Sequence, residues 1–114
     1  MVRIPTHPND PHQPRPAIIA SLDSQNRHRN LILVIPLSTS ISPADPRVHI
    51  LIPKGEGGLT KDTHALCDLI TSIDKQYLIR SLGNRVQDKY RIQLIAGVRI
   101  AMGDPDPALK QKVF

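Results

Sequence analysis

Over the first two-thirds of the chain, apolar residues come in short runs separated by polar or proline-bearing stretches. Val2–Ile4 reads as a short strand, and apolar residues resume over 17–22. Residues 23–30 are polar and predict a turn. Residues 31–36 form a continuous aliphatic run, the pattern of a strand covered on both faces. Residues 38–47 hold Pro43, Asp45 and Pro46 and predict a loop; 48–52 predict another short strand. Gly55-Glu56-Gly57-Gly58 is turn chemistry. It lacks the Lys-Ser/Thr pair that follows the last glycine of a Walker phosphate loop. Residues 65–73 are a fifth apolar segment, and 77–82 a candidate sixth.

The period then changes. Val86, Tyr90, Leu94, Val98 and Met102 recur at every fourth position, with Ile95 and Ala101 on the same side. That spacing predicts a helix over 86–102 with one buried face. Asn84 suits its start, with Gln87 three residues on as in a capping box. Gly103 suits its end, followed by Pro105 and Pro107. Gly97 inside the helix costs about 1 kcal/mol relative to alanine, so it marks a place of close packing. Short strands in series followed by one helix predict an α+β fold: a mainly antiparallel, curled sheet closed on one side by the helix.

With 114 residues, the chain fits a single domain spanning 1–114. Five of the 11 prolines fall in the first sixteen residues, so 1–14 reads as an extended start rather than a helix. Residues 104–114 read as a mobile tail. Only Tyr77, Tyr90 and Phe114 are aromatic, so the core is built from Ile, Leu and Val. So few aromatics argue against RNA binding by base stacking on aromatic platforms. The net charge of +5 suits an acidic partner, nucleic acid or protein, as well as it suits a plain solvated surface. Cys67 is the only cysteine, which excludes a disulfide or a thiolate zinc site within one chain. His28, His49 and His64 lack metal-ligand spacing, so no metal or other cofactor is expected. No run approaches the ~20 apolar residues of a membrane span, and the start has no signal-peptide core. The expected setting is the cytoplasm, with no membrane attachment.

Several blocks resemble the MazF/PemK family of toxins. Arg15-Pro16-Ala17-Ile18-Ile19 looks like the family's Arg-Pro-aliphatic second strand. Val34-Ile35-Pro36-Leu37-Ser38-Thr39-Ser40 resembles its Pro-aliphatic-Thr strand end, and His49-Ile50-Leu51-Ile52 a common third block. Ala65-Leu66-Cys67-Asp68 resembles the Cys-Asp segment of the Kid/PemK branch, and Ser72-Ile73-Asp74-Lys75-Gln76 a Thr-aliphatic-Asp-basic block. The five blocks stand in family order at family spacing, over about 15–103.

The resemblance implies an SH3-like, partly open antiparallel β-barrel with a C-terminal helix. It implies a homodimer with single-stranded RNA across the dimer groove and an acidic antitoxin protein as partner. It also implies metal-independent, sequence-specific cleavage by attack of the ribose 2′-OH on the adjacent phosphate. The residues carried over as catalytic are Arg15, Ser38 and Asp68, and Arg15, Ser38 and Thr39 are expected to bind RNA; His12, in the stretch that departs from the family, is a further RNA-binding candidate, and His7 or His12 is either an acid or base or a plain loop residue. A fixed guanidinium suits charge that grows in the transition state. A hydroxyl at Ser38 suits donation to a phosphate. Read without the family, Arg15 is a surface arginine before a strand, Ser38 a polar strand end, and Asp68 a residue that holds a loop. Two departures stand out. A family glutamate before the Arg-Pro pair is missing, and residues 6–14 hold His7 and His12 among prolines instead. Leu66 stands where the Kid branch has a catalytic arginine. A non-catalytic or degenerate binding module on the same fold is the alternative, since fold alone does not set function.

Overall fold

The computed structural model describes residues 2–4, 15–39, 45–78 and 85–103, the first three as backbone only. The strands are β1 (Val2–Ile4), β2 (Arg15–Ile19), β3 (Leu31–Ser38), β4 (His49–Ile52), β5 (Thr63–Leu66) and β6 (Thr71–Asp74), with helices α1 (Asp23–His28) and α2 (Asp88–Ala101). Single 3₁₀ turns lie at Glu56–Gly58, Cys67–Leu69 and Lys75–Tyr77. All strand pairings are antiparallel, in the order β1-β2-β3-β5-β4, with β6 also pairing β3. The described strands form an antiparallel sheet that does not close into a barrel, as the α+β, partly open expectation has it.

β3 is the hub. One edge pairs with β2; the other pairs first with β6 (Leu31↔Asp74 to Val34↔Thr71) and then with β5 (Leu37↔Ala65, Ser38↔His64). Pro36 sits at the changeover. Ala20 N donates to Leu33 O at 2.8 Å, and Leu33 N donates to Ser21 Oγ at 3.2 Å. Odd residues of β3 therefore turn their backbone groups toward β2, and even ones toward the other edge. Pro36 thus lacks its N–H where β6 has ended and β5 begins, and no ladder bond is lost.

The aliphatic run of β3 is covered on both faces, as its composition predicts. On one face Ile18, Ile35, Leu37, Ile50, Ile52 and Ala65 pack with Val86 and Leu94 under α2. On the other, Ala17, Ile32 and Val34 pack with Ile19, Ile73 and Leu78.

Three local readings change. Residues 23–30 are not a turn but carry α1, which buries none of its side chains. A helix with no apolar stripe leaves no periodic signal. It is tied in by polar contacts instead: Asn26 Nδ2 donates to Ser21 O at 3.2 Å, and the buried Ser21 hydroxyl bonds Asn26 Oδ1. The C-terminal helix is shorter than 86–102. Val86 is buried but precedes it, Ile95 and Met102 are 58% and 78% exposed, and Ala101 is exposed as well. Leu94 and Gly97 form its buried line, with Tyr90 and Val98 packed beside them. Gln87 occupies the N-cap without a side-chain cap bond. Its N–H and side-chain amide both go to the Glu56 carboxylate, so the β4–β5 turn anchors the helix start. Of the candidate strand 77–82, Tyr77 lies in a 3₁₀ turn and 79–82 lie outside the described residues; β6 is the sixth strand. The Pro-rich stretch 5–14, the capping residue Asn84 and the tail 104–114 also lie outside them.

Candidate active site on the sheet face opposite the helix

Strand register puts two of the carried-over residues, Arg15 and Ser38, on one face of the sheet. The β2–β3 ladder pairs Ile19 with Val34, Ile18 with Ile35 and Ala17 with Pro36. Extending it from Ala17↔Pro36 over the first two residues of β2 and the last two of β3 sets Arg15 opposite Ser38 by register. On its other side Ser38 pairs with His64, and His64 with Leu51. Residues directly opposite in a ladder share a face. Arg15, Ser38, His64 and Leu51 therefore form one row across β2, β3, β5 and β4. Neighbouring strands lie about 4.8 Å apart, so Arg15 and His64 flank Ser38 at about one strand spacing each. The face is set by alternation: Leu37, Ala65, Ile50 and Ile52 point into the core under α2, and the row residues point the other way. Arg15 is exposed, and Ser38 and His64 are half-buried. Thr39 follows Ser38 as an exposed bend residue. His12 and His7 lie outside the described residues.

Asp68 reaches this face from the 3₁₀ turn after β5. Its Oδ1 lies 2.9 Å from His49 Nε2. His49 is the first residue of β4 and pairs with Leu66, so it shares the face of the row. The imidazole is only 12% exposed and the carboxylate 47%. The ring thus fixes one carboxylate oxygen and leaves the group accessible.

Cys67, beside Asp68, does the anchoring. It is fully buried, its N–H donates to Val48 O at 3.2 Å, and its Sγ points at Leu94 O, 3.7 Å away. Burial, and secondarily the Asp68 charge, push its thiol up to about 11, so it is no nucleophile at neutral pH. A Cβ added at Gly97 would stand 2.8 Å from Cys67 Sγ and 3.2 Å from Arg47 O. Gly97 lets α2 press this close, which confirms the reading of close packing there. Ahead of β4, Arg47 donates to Asp45 at 2.6 Å (Nη2 to Oδ2), and its guanidinium holds the Asp45 carboxyl down to about 2. Together these contacts fix the start of β4, and with it His49.

The row and the His49–Asp68 pair place a fork of donors, a hydroxyl, two imidazoles and a carboxylate on one sheet face. Such a set can bind an anion and move protons beside it. Among the described residues, no three His, Cys, Asp or Glu side chains converge as a metal site, and no helix is long and apolar enough to cross a membrane. By sequence, His49 and His64 lack metal-ligand spacing and carry no other catalytic signal. The signal that finds them is the hairpin register around Gly55–Gly58, which puts 49 opposite 66 and 51 opposite 64.

The fold is shared with solved structures. A Mycobacterium tuberculosis toxin, MazF-mt6, superposes with a TM-score of 0.72 at 18% identity, covering 90% of this chain and 95% of that one. An endoribonuclease in complex with its cognate antitoxin, from a mycobacterial species, gives 0.74 at 21% identity with 93% of each chain covered. A further mycobacterial endoribonuclease gives 0.68 at 22% identity, covering 82% and 85%. At these identities the likeness is one of fold. No curated protein matches the sequence. The model of the PemK-like, MazF-like toxins matches residues 1–102, and with that the chain belongs to this family of toxins of type II toxin–antitoxin systems.

Proposed function

We propose that this toxin is a metal-independent endoribonuclease. It cleaves single-stranded RNA at a short sequence in the cytoplasm, leaving a cyclic phosphate and a free 5′-OH. The observation that carries the reading is the juxtaposition of Arg15 and Ser38 at the ends of paired strands, on a face that also holds Asp68. The phosphorane-like transition state carries more negative charge than the bound phosphate. A preorganised guanidinium therefore stabilises it more than it stabilises the ground state. Ser38 donates its hydroxyl to the same phosphate, and Thr39 and His12 extend the RNA contact. The Asp68 carboxylate, held by His49, takes the proton of the attacking 2′-OH.

The reading includes a homodimer. Ile92 and Ile95 on α2 and Met102 at its C-cap lie at three- and seven-residue steps and are all well exposed, a stripe that a second copy of the chain would cover. It also includes an acidic antitoxin, which the net charge of +5 and the antitoxin-bound structural neighbour support. The test is incubation with a long single-stranded RNA, with and without EDTA, followed by end-group analysis. Equal cleavage in both arms with cyclic-phosphate and 5′-OH ends is expected. No cleavage, or cleavage abolished by EDTA, overturns the reading.

A further inference from the structure

We infer that His64 is the general acid of this site, the group that protonates the departing 5′-oxygen. The inference rests on the proposed ribonuclease reading. In-line attack forms the O2′–P bond and breaks the P–O5′ bond. One proton leaves O2′ and one must arrive at O5′. Asp68 is the acceptor in that reading, so a donor is still required.

The row contains few candidates. Arg15 offers a guanidinium, a group that donates hydrogen bonds rather than its proton. The Ser38 hydroxyl is too weak an acid to lose one near neutrality. The outward nitrogen of His49 is taken by Asp68, and the ring is largely buried. His64 pairs directly with Ser38, on the flank opposite Arg15, and shares their face. It is half-buried, and no described side chain hydrogen-bonds its ring. An imidazole is the side chain that can give and regain a proton near neutral pH. A phosphate seated on Ser38 thus has a guanidinium on one side and a proton donor on the other. The charged and titratable groups around His64 are Arg15 beyond Ser38, His49 diagonally across on β4, Asp68 beyond Leu66, and Lys61 and Asp62 ahead of β5. Asp62 is engaged by Lys54 N at 2.8 Å and does not claim the ring. After the step, Asp68 holds the 2′ proton, His64 has lost one to the 5′-OH, and exchange with water resets both.

The test compares wild type, His64→Ala and His64→Gln in single-turnover cleavage of one RNA mapped with the wild-type protein. The second substrate is the same RNA with sulfur bridging at the scissile 5′ position, because a thiolate leaves without being protonated. On ordinary RNA, both variants should cleave about 10²–10⁴ times more slowly, with RNA binding and thermal midpoint unchanged. On the sulfur-bridged RNA, both should come within a few-fold of wild type. Wild-type rates in the variants on ordinary RNA, or equal losses on both substrates, would overturn the assignment while leaving the ribonuclease reading intact. A wild-type protein that cleaves no RNA would remove both.

Discussion

Gly97→Ala should destabilise the protein, although alanine is the better helix former. Alanine in the interior of α2 favours the helix by about 1 kcal/mol. The new methyl, however, meets Cys67 Sγ at 2.8 Å, Cys67 Cβ at 3.3 Å and the backbone oxygen of Arg47 at 3.2 Å. None of these is the loose end of a long side chain. Cys67 is fully buried and bonded through its N–H to Val48 O. Relief therefore requires α2 to lift from the sheet or the 67–69 turn to shift. Overpacking of this kind costs about 1–3 kcal/mol, and contacts to immobile groups on two sides place this site at the upper end. The helix gain offsets part of it, leaving a loss of about 2 kcal/mol. With a urea slope of about 2 kcal/mol/M for a domain of this size, the unfolding midpoint should fall by about 1 M. Adding Cys67→Ala removes the closest contact, so the double variant should lose less than the two single losses combined. A Gly97→Ala protein as stable as wild type, or strictly additive losses, would refute the reasoning.

Glu56→Gln removes the charge that Gln87 and the start of α2 share; it should cost about 0.3–1 kcal/mol at low ionic strength, and urea unfolding at high salt should show the difference shrinking. Cys67, with its thiol pushed up to about 11, should react with iodoacetamide at pH 8 far more slowly in the folded protein than in urea. Its raised value also fixes the sign of an alkaline effect. Below the unfolded thiol's value of about 8.5, Cys67 makes no pH-dependent difference. Above it, the unfolded chain ionises while the folded one does not, so stability should fall as pH rises toward 11. Unfolding curves across that range should show a slope that Cys67→Ser shortens.

The sheet was legible because its strands announce themselves: 31–36 is aliphatic throughout, and β3 is buried on both faces. Gly97 was legible because a helix interior rarely tolerates glycine without a packing reason. α1 was not, since it buries nothing and is held through Ser21 and Asn26 rather than by an apolar stripe. The helix face was read partly wrong. Met102 fits the four-residue period and Ile95 adjoins Leu94, yet both face away from the core, because spacing alone cannot tell one apolar stripe from two. Arg15, Ser38 and Asp68 come from resemblance; the placing of Arg15 and Ser38 on one face comes from register, which no single segment encodes, and Asp68 meets that face through His49. His49 and His64 went unread for that reason. Each gains its meaning only from the residue across the ladder: Leu66, beside Asp68, for His49, and Ser38 for His64.

The most direct test of the central claim is single-turnover cleavage of one single-stranded RNA by wild type, Arg15→Ala, Arg15→Lys, Ser38→Ala and Ser38→Thr. Arg15→Ala should fall by about 10²–10³ or more, with its thermal midpoint unchanged because the side chain is exposed. Arg15→Lys should recover only part of the rate, since lysine keeps the charge and loses the fork. Ser38→Ala should lose less than Arg15→Ala, and Ser38→Thr should stay close to wild type. Wild-type cleavage by Arg15→Ala would contradict the account, because the site would then lie elsewhere on the fold.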